Sequence, residues 1–223
     1  MSEQSTSLTN MNPDIVKVQN EIRERFAQQN PTAEKGQIVF VGSSLMEIFP
    51  IEKMQQGLSL DKLIYNRGVR ATTTADLLEH IDLCIFDLAP SKIFINIGTN
   101  DIGFKVPEAT YLANYDEILR QIKARLPETQ VFVMAYYPIN SVANFGESED
   151  EHESLFTTRN NEIFQAASSK VAQLAQKYNY EFINVNDGLA DADGNLRKEL
   201  TFDGAHMLPA GYEIVLGNMK KYL

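Results

Sequence analysis

Five short apolar runs punctuate the chain: Gln37 to Val41, Leu63 to Tyr65, Lys92 to Ile97, Gln130 to Ala135 and Glu181 to Val185. Their length suits buried strands better than buried helices, and the first ends at Gly42, a natural stop. Between and after them lie stretches of helical periodicity: Thr74 to Leu88, predicted to be broken, then Pro107 to Arg125, Thr158 to Tyr178, and Pro209 to Leu223. A helix also precedes the first strand. Asn12 can cap it, Pro13 fits its first position, Ile15, Val18, Ile22 and Phe26 recur at helical spacing, and Asn30-Pro31 closes it. Alternation of strand and helix implies parallel strands joined by right-handed crossovers. The expected fold is therefore α/β, a three-layer α/β/α arrangement around a five-stranded parallel sheet.

At 223 residues the chain is within reach of one α/β domain, and residues 13–223 are expected to form it after a polar tail over 1–12. Thirty acidic residues against 20 basic give a net charge of -10, which disfavours nucleic acid and anionic membrane surfaces as partners. No apolar run approaches the ~18 residues of a membrane span, so no membrane insertion is expected. The N-terminus lacks a basic start followed by an apolar stretch, so a cytoplasmic location is expected. Cys84 is the only cysteine and sits beside Leu83, Ile85 and Phe86, as a buried thiol would.

In an open parallel sheet, ligands bind outside the carboxyl ends of the strands, where loops converge. Gly42-Ser43-Ser44 follows the first run, Asn66-Arg67-Gly68 the second, Gly98-Thr99-Asn100-Asp101 the third, and Asp203-Gly204-Ala205-His206 lies beyond the fifth. Each alone reads as ordinary turn chemistry. Together they supply a hydroxyl, an imidazole with a carboxylate nearby, and donors for an oxyanion, the parts that acyl transfer needs.

These blocks, in this order and across most of the chain, resemble those of the GDSL/SGNH hydrolases. The resemblance implies the flavodoxin-like SGNH hydrolase fold and maps the family's Ser, Gly, Asn and His onto Ser44, Gly68, Asn100 and His206. One block departs from the pattern, since Ser43 stands where the family usually has Asp. The register from Gly42 makes Ser44 the nucleophile and Ser43 a turn residue.

A serine hydroxyl needs an imidazole within hydrogen-bond reach to take its proton as it attacks. His206 is the candidate; of the other two histidines, His80 lies among Leu77, Leu78 and Ile81 on a helix, and His152 lies in an acidic segment. Asp203, three residues before His206, can fix the imidazole tautomer, cap the last turn before Pro209, or do both. The expected oxyanion donors are the backbone N-H groups of Ser44 and Gly68 and the side-chain amide of Asn100, while Asp101 and Arg67 read as supporting residues. Phe104, Tyr136, Tyr137, Pro138 and Phe145 are candidates for an apolar substrate wall, or else for core.

Pro138 to Thr157 is expected to be an irregular acidic surface loop, with no metal there because no ligand spacing matches a known cage. Asp191-x-Asp193-x-Asn195 starts like a calcium loop but has Leu196 and Phe202 where Gly and Glu are required, so a turn about Asp193-Gly194 is expected. Phosphate-binding glycine loops and the Gly-x-Ser-x-Gly elbow are missing, and no cofactor is expected. The expected function is serine-dependent hydrolysis of a small or lipid-like acyl ester. A carbohydrate O-deacetylase is the alternative enzyme, and a non-catalytic flavodoxin-like binding module the alternative of another kind. The implied partner is a small-molecule ester, with a homodimer left open.

Overall fold

A computed structural model describes residues 11–223, so the expected tail over 1–12 lies, but for its last two residues, outside the described residues. Helix α1 (Pro13–Gln29) starts as its sequence suggests, with the Asn12 side chain accepting from the Asp14 N-H and Pro13 in the first turn. Strand β1 (Ile38–Gly42) follows, then short helices α2 (Ser44–Glu47) and α3 (Ile51–Met54), and strand β2 (Ile64–Gly68). The interrupted helix appears as α4 (Thr74–Glu79), α5 (Ile81–Cys84) and a single 3-10 turn. Strand β3 (Lys92–Asn96) leads into α6 (Thr99–Gly103) and α7 (Glu108–Arg125), and β4 (Gln130–Met134) into α8 (Glu149–Phe156) and α9 (Asn161–Lys177). Strand β5 (Glu181–Ile183) and helix α10 (Pro209–Met219) complete the order.

Within the sheet all pairings are parallel and the strands lie in the order β2-β1-β3-β4-β5. Because side chains alternate across a strand, each strand feeds two layers. Val39, Val41, Ile93, Ile95, Val131 and Val133 pack under α4, α5, α7 and α9, whereas Phe40, Phe94, Phe132 and Met134 face α2, α3 and α10. Full burial of such a side chain is worth about 1.5–3 kcal/mol, and the two layers together fix the sheet's register. Helix α1 adds Ile22 and Phe26 against Val69. Cys84 is buried, and that burial pushes its thiol up to about 12.

Two expectations are corrected. Asn66-Arg67-Gly68 is not a loop after the second strand but its last three residues, in register with Phe40, Val41 and Gly42. The acidic segment is not irregular throughout: α8 begins in a capping box in which the Ser148 hydroxyl accepts from the Glu151 N-H and the Glu151 carboxylate accepts from the Ser148 N-H. Glu149, Asp150 and Glu151 occupy its first turn, where negative charge is favoured by the helix dipole, and Phe156 anchors its far end in the core.

Between β2 and α4 the chain bends through Ala71 at φ 54°, a left-handed conformation that costs an L-residue about 1–2 kcal/mol. Ala71→Gly relieves this at some cost in unfolded-state entropy, so it should stabilise the fold by about 0.5–1 kcal/mol, or roughly 1–3 °C in Tm. A calorimetric scan of both proteins tests it, and an unchanged or lower Tm would show that the bend carries no strain.

Candidate active site

Ser44 opens α2 immediately beyond the carboxyl end of β1. As the first helical residue, its N-H has no acceptor within the helix. The turn is held from two sides: the Asn66 amide donates to the carbonyls of Met46 (2.6 Å) and Phe49 (3.1 Å), and the Tyr212 hydroxyl on α10 donates to the Leu45 carbonyl (2.7 Å). Ser43 is 1% exposed and packed inside, while the half-buried Ser44 points its Oγ at His206 Nε2, 2.9 Å away.

His206 sits in a five-residue loop closed by an isolated antiparallel bridge between Thr201 and Met207. Thr201 is the internal brace, its Oγ1 accepting from the Gly204 N-H (2.8 Å) and donating to the His206 carbonyl (2.6 Å). Gly204 allows the loop to close: its φ is 82°, and a side chain there would collide with the Asn140 carbonyl and the rings of Phe156 and Phe145. Asp203 Oδ1 accepts from the N-H groups of Ala205 (2.9 Å) and His206 (2.7 Å), and its Oδ2 lies 2.6 Å from His206 Nδ1. Burial raises the Asp203 carboxyl, but the imidazole and the two backbone N-H groups outweigh it and hold it below the ordinary carboxylate value.

On β1's other neighbour, Asn100 lies in the first turn of α6, half-buried, with one amide N-H given to the Thr72 carbonyl (3.0 Å). The second N-H is uncommitted to that bond. Gly68 is placed differently from Ser44 and Asn100 in its bonding. Its N-H already donates to Asn66 Oδ1 (2.9 Å), and a Cβ at this position would run into the backbone of Met46 and Glu47, so packing of α2 against β2 alone demands glycine. Asp101 is fully buried and grips α4, accepting from the Thr74 N-H (3.0 Å) and Thr74 Oγ1 (2.6 Å). Arg67 is buried too, its guanidinium 4.5 Å from the Phe26 ring centroid and bonded to Asn30 Oδ1.

The residues expected to form a substrate wall separate. Tyr136 and Tyr137 are 4% and 1% exposed; the Tyr136 hydroxyl donates to the Ile97 carbonyl (2.8 Å), so both rings belong to the core. Phe145 is half-buried against Gly204, and Phe104 is half-buried at a cleft of about 480 Å³ between α6 and α8. Sequence reasoning missed Phe202, whose 53% exposed ring stacks on His206 at 5.7 Å and 10°. Its position directly before Asp203 was the available signal.

His152 bonds Glu147 (2.7 Å) and the Ser141 carbonyl (3.1 Å), which ties α8 to the preceding turn. The Asp191-x-Asp193-x-Asn195 stretch forms a turn, with Asp191 Oδ1 accepting from the N-H groups of Asp193 and Asn195. Among the described residues, Asp76, Glu79 and His80 bring three ligand atoms within 4.8 Å, but Asp76 is already paired with Arg23 at 2.9 Å. None of the described helices is long and apolar enough to cross a membrane.

A hydroxyl, an imidazole and a carboxylate in one bonded line thus lie at the carboxyl edge of a parallel sheet covered by helices on both faces. The model of the GDSL-like lipase/acylhydrolase family matches residues 52–214, and the chain belongs to that family, as an esterase of the acylhydrolase type. The match begins at residue 52, downstream of Ser44. No curated protein matches the chain at a significant level. Among solved structures, one provisionally described as a platelet activating factor from Streptococcus pneumonia is 33% identical, with a TM-score of 0.81 over 93% of this chain and 94% of that one. A GDSL-like lipase from Bacteroides thetaiotaomicron shares the fold at 19% identity, with a TM-score of 0.70 over 90% and 96%. A catalytic mutant of an acetylxylan esterase from Geobacillus stearothermophilus does so at 15%, with a TM-score of 0.63 over 85% and 94%.

Burial is the main influence on Asp101 and, only partly offset by the Thr74 bonds, raises its carboxyl from 3.8 to about 6. Between those values the folded protein holds a proton that the unfolded chain has released, so stability falls as pH rises through this window and levels off above it. A shift of this size corresponds to about 3 kcal/mol. Urea unfolding from pH 4 to 7 should therefore cost the wild type roughly 2–3 kcal/mol relative to Asp101→Asn, which lacks the titrating proton. Parallel pH profiles for the two proteins would refute the assignment.

Proposed function

We propose that the protein hydrolyses carboxylic esters through an acyl-enzyme on Ser44, with His206 as acid and base and Asp203 as its orienting partner. The observation that carries this is the continuous bonded line from Ser44 Oγ to His206 Nε2 (2.9 Å) and from His206 Nδ1 to Asp203 Oδ2 (2.6 Å). Asp203, held ionised, keeps the Nδ1-H tautomer, so Nε2 is free to accept. As Oγ bonds to the carbonyl carbon, its proton passes to Nε2 and the carbonyl oxygen becomes an oxyanion. The carbon-oxygen bond to the alcohol then breaks, and that oxygen leaves with the proton from Nε2. Water attacks the acyl-serine in the same way, gives its proton to Nε2, and frees the acid and Ser44.

The Ser44 N-H and the second N-H of the Asn100 amide are the oxyanion donors best supported by the bonding pattern. The Gly68 N-H would have to be shared with Asn66 Oδ1, which makes it the weakest of the three. No metal or cofactor enters this scheme. The ester substrate is a small molecule.

Ser44→Ala should abolish hydrolysis of a chromogenic acetate ester, and a fluorophosphonate should label Ser44 on peptide mapping. Ser43→Ala should keep most activity per folded molecule, because the Ser43 side chain is packed away from His206; an inactive Ser43 variant beside an active Ser44 variant would overturn the assignment.

Asn100→Ala should lower kcat by a factor on the order of 10²–10³ with little change in KM, because the oxyanion exists only beyond the ground state. If Asn100 only holds the Thr72 carbonyl, the variant would instead melt earlier and keep its kcat, so both quantities are read on one preparation.

A further inference from the structure

Arg67 is 2% exposed, yet every group that touches its charge is neutral. The guanidinium donates to the Asn66 carbonyl (2.9 Å) and to Asn30 Oδ1 (3.0 Å), and the rings of Phe26 and Tyr65 have their centroids 4.5 and 5.5 Å from it. Its buried Nε-H has no partner among the described residues. A guanidinium taken out of water ordinarily sits against a carboxylate, whose two oxygens match its planar fork. Here burial draws the Arg67 guanidinium below its ordinary value, and the Glu52 charge offsets this only in part.

The same side chain lies at the floor of a cavity of about 420 Å³, bounded by the end of α1, by α3 and by the outer edge of β2. Strand β2 has a neighbour on one side only. Its outer edge is answered by side chains instead: the Gln55 amide bonds both the N-H (2.7 Å) and the carbonyl (3.0 Å) of Ile64, and Arg67 takes the Asn66 carbonyl. An added strand or extended peptide would find those ladder groups taken, so the space suits a small molecule.

Glu52, on α3, lines the cavity too, exposed and outside every ion pair among the described residues. One cavity thus carries a cation and an anion that are not bonded to each other. A simple anion drawn to Arg67 meets the Glu52 carboxylate, and a simple cation drawn to Glu52 meets Arg67; a molecule with both charges suits both. We infer that this cavity binds a small zwitterionic amino acid, its carboxylate held by Arg67 and its ammonium by Glu52. None of the cavity's lining residues belongs to the line from Ser44 through His206 to Asp203, so the site stands independently of the ester chemistry.

The test is isothermal titration of the whole protein with glycine, β-alanine and γ-aminobutyrate, which space the two charges differently. At least one of them should fill a single saturable site. The amide of that binder lacks the carboxylate and its N-acetyl form lacks the ammonium, so each should bind at least about tenfold more weakly, as should the binder itself on Glu52→Gln. Arg67→Lys keeps the charge without the paired donors and should also lose about tenfold. If that variant does not fold, Gln29→Trp takes its place, since Gln29 is the exposed last residue of α1 and lines the cavity, which an indole there would fill. Saturable binding of none of the three amino acids overturns the proposal. An N-acetyl form that binds as well as its parent would mean a plain anion site, and an amide that does so a plain cation site; either overturns it. Binding undiminished in Glu52→Gln, or in the second variant, would put the amino acid elsewhere and overturn it too.

Discussion

Strands β1 and β3 are neighbours in the sheet although β2 stands between them in sequence, and this reversal of winding opens a crevice at their carboxyl ends. Ser44 follows one of the two strands and Asn100 the other, so a hydroxyl and a side-chain amide are brought to the same edge of the sheet without any long loop to carry them. The imidazole bonded to Ser44 comes from neither of these strands. His206 stands much later in the chain, on a loop that braces itself through Thr201 and meets α2 at Ser44.

That docking is reciprocal. Asp203 divides its two oxygens between shaping the loop and bonding the imidazole, so the same carboxylate that folds the segment also fixes the ring's orientation. On the other wall, Asp101 grips Thr74 and thereby holds the loop after β2 against the helix that carries Asn100. Asn66 does a similar service beneath Ser44, at the expense of occupying the Gly68 N-H. Polar side chains buried near the crevice are mostly joints between loops, and their bonds set the positions of the few groups left free to react.

Much of this was legible in the sequence because strands in a doubly covered sheet are short apolar runs and because their ends collect polar turns. All five runs became strands, and Ser44, Asp203 and His206 came together over long separations. Other features were hidden for physical reasons. Tyr136 and Tyr137 follow an apolar run, and an aromatic there reads equally as pocket or as core; the Ile97 carbonyl that takes the Tyr136 hydroxyl decides it, and no local pattern reveals such a partner. Helix α8 was masked by its own acidity, although Ser148 and Glu151 stood at capping-box spacing. Asn66 looked like a turn residue, and only its three-dimensional place showed that it takes up the Gly68 N-H and braces the turn at Ser44.

The bond between Ser44 and His206 spans 162 residues, and the Tyr212 hydroxyl that supports the nucleophile's turn comes from still later in the chain, on α10. During synthesis the sheet's first strands can form long before these residues leave the ribosome. Until they do, the turn at Ser44 has the Asn66 brace but neither the Tyr212 bond nor the imidazole. The hydroxyl and the imidazole can therefore meet only after most of the described chain has been made, so this edge of the sheet is completed after the strands beneath it.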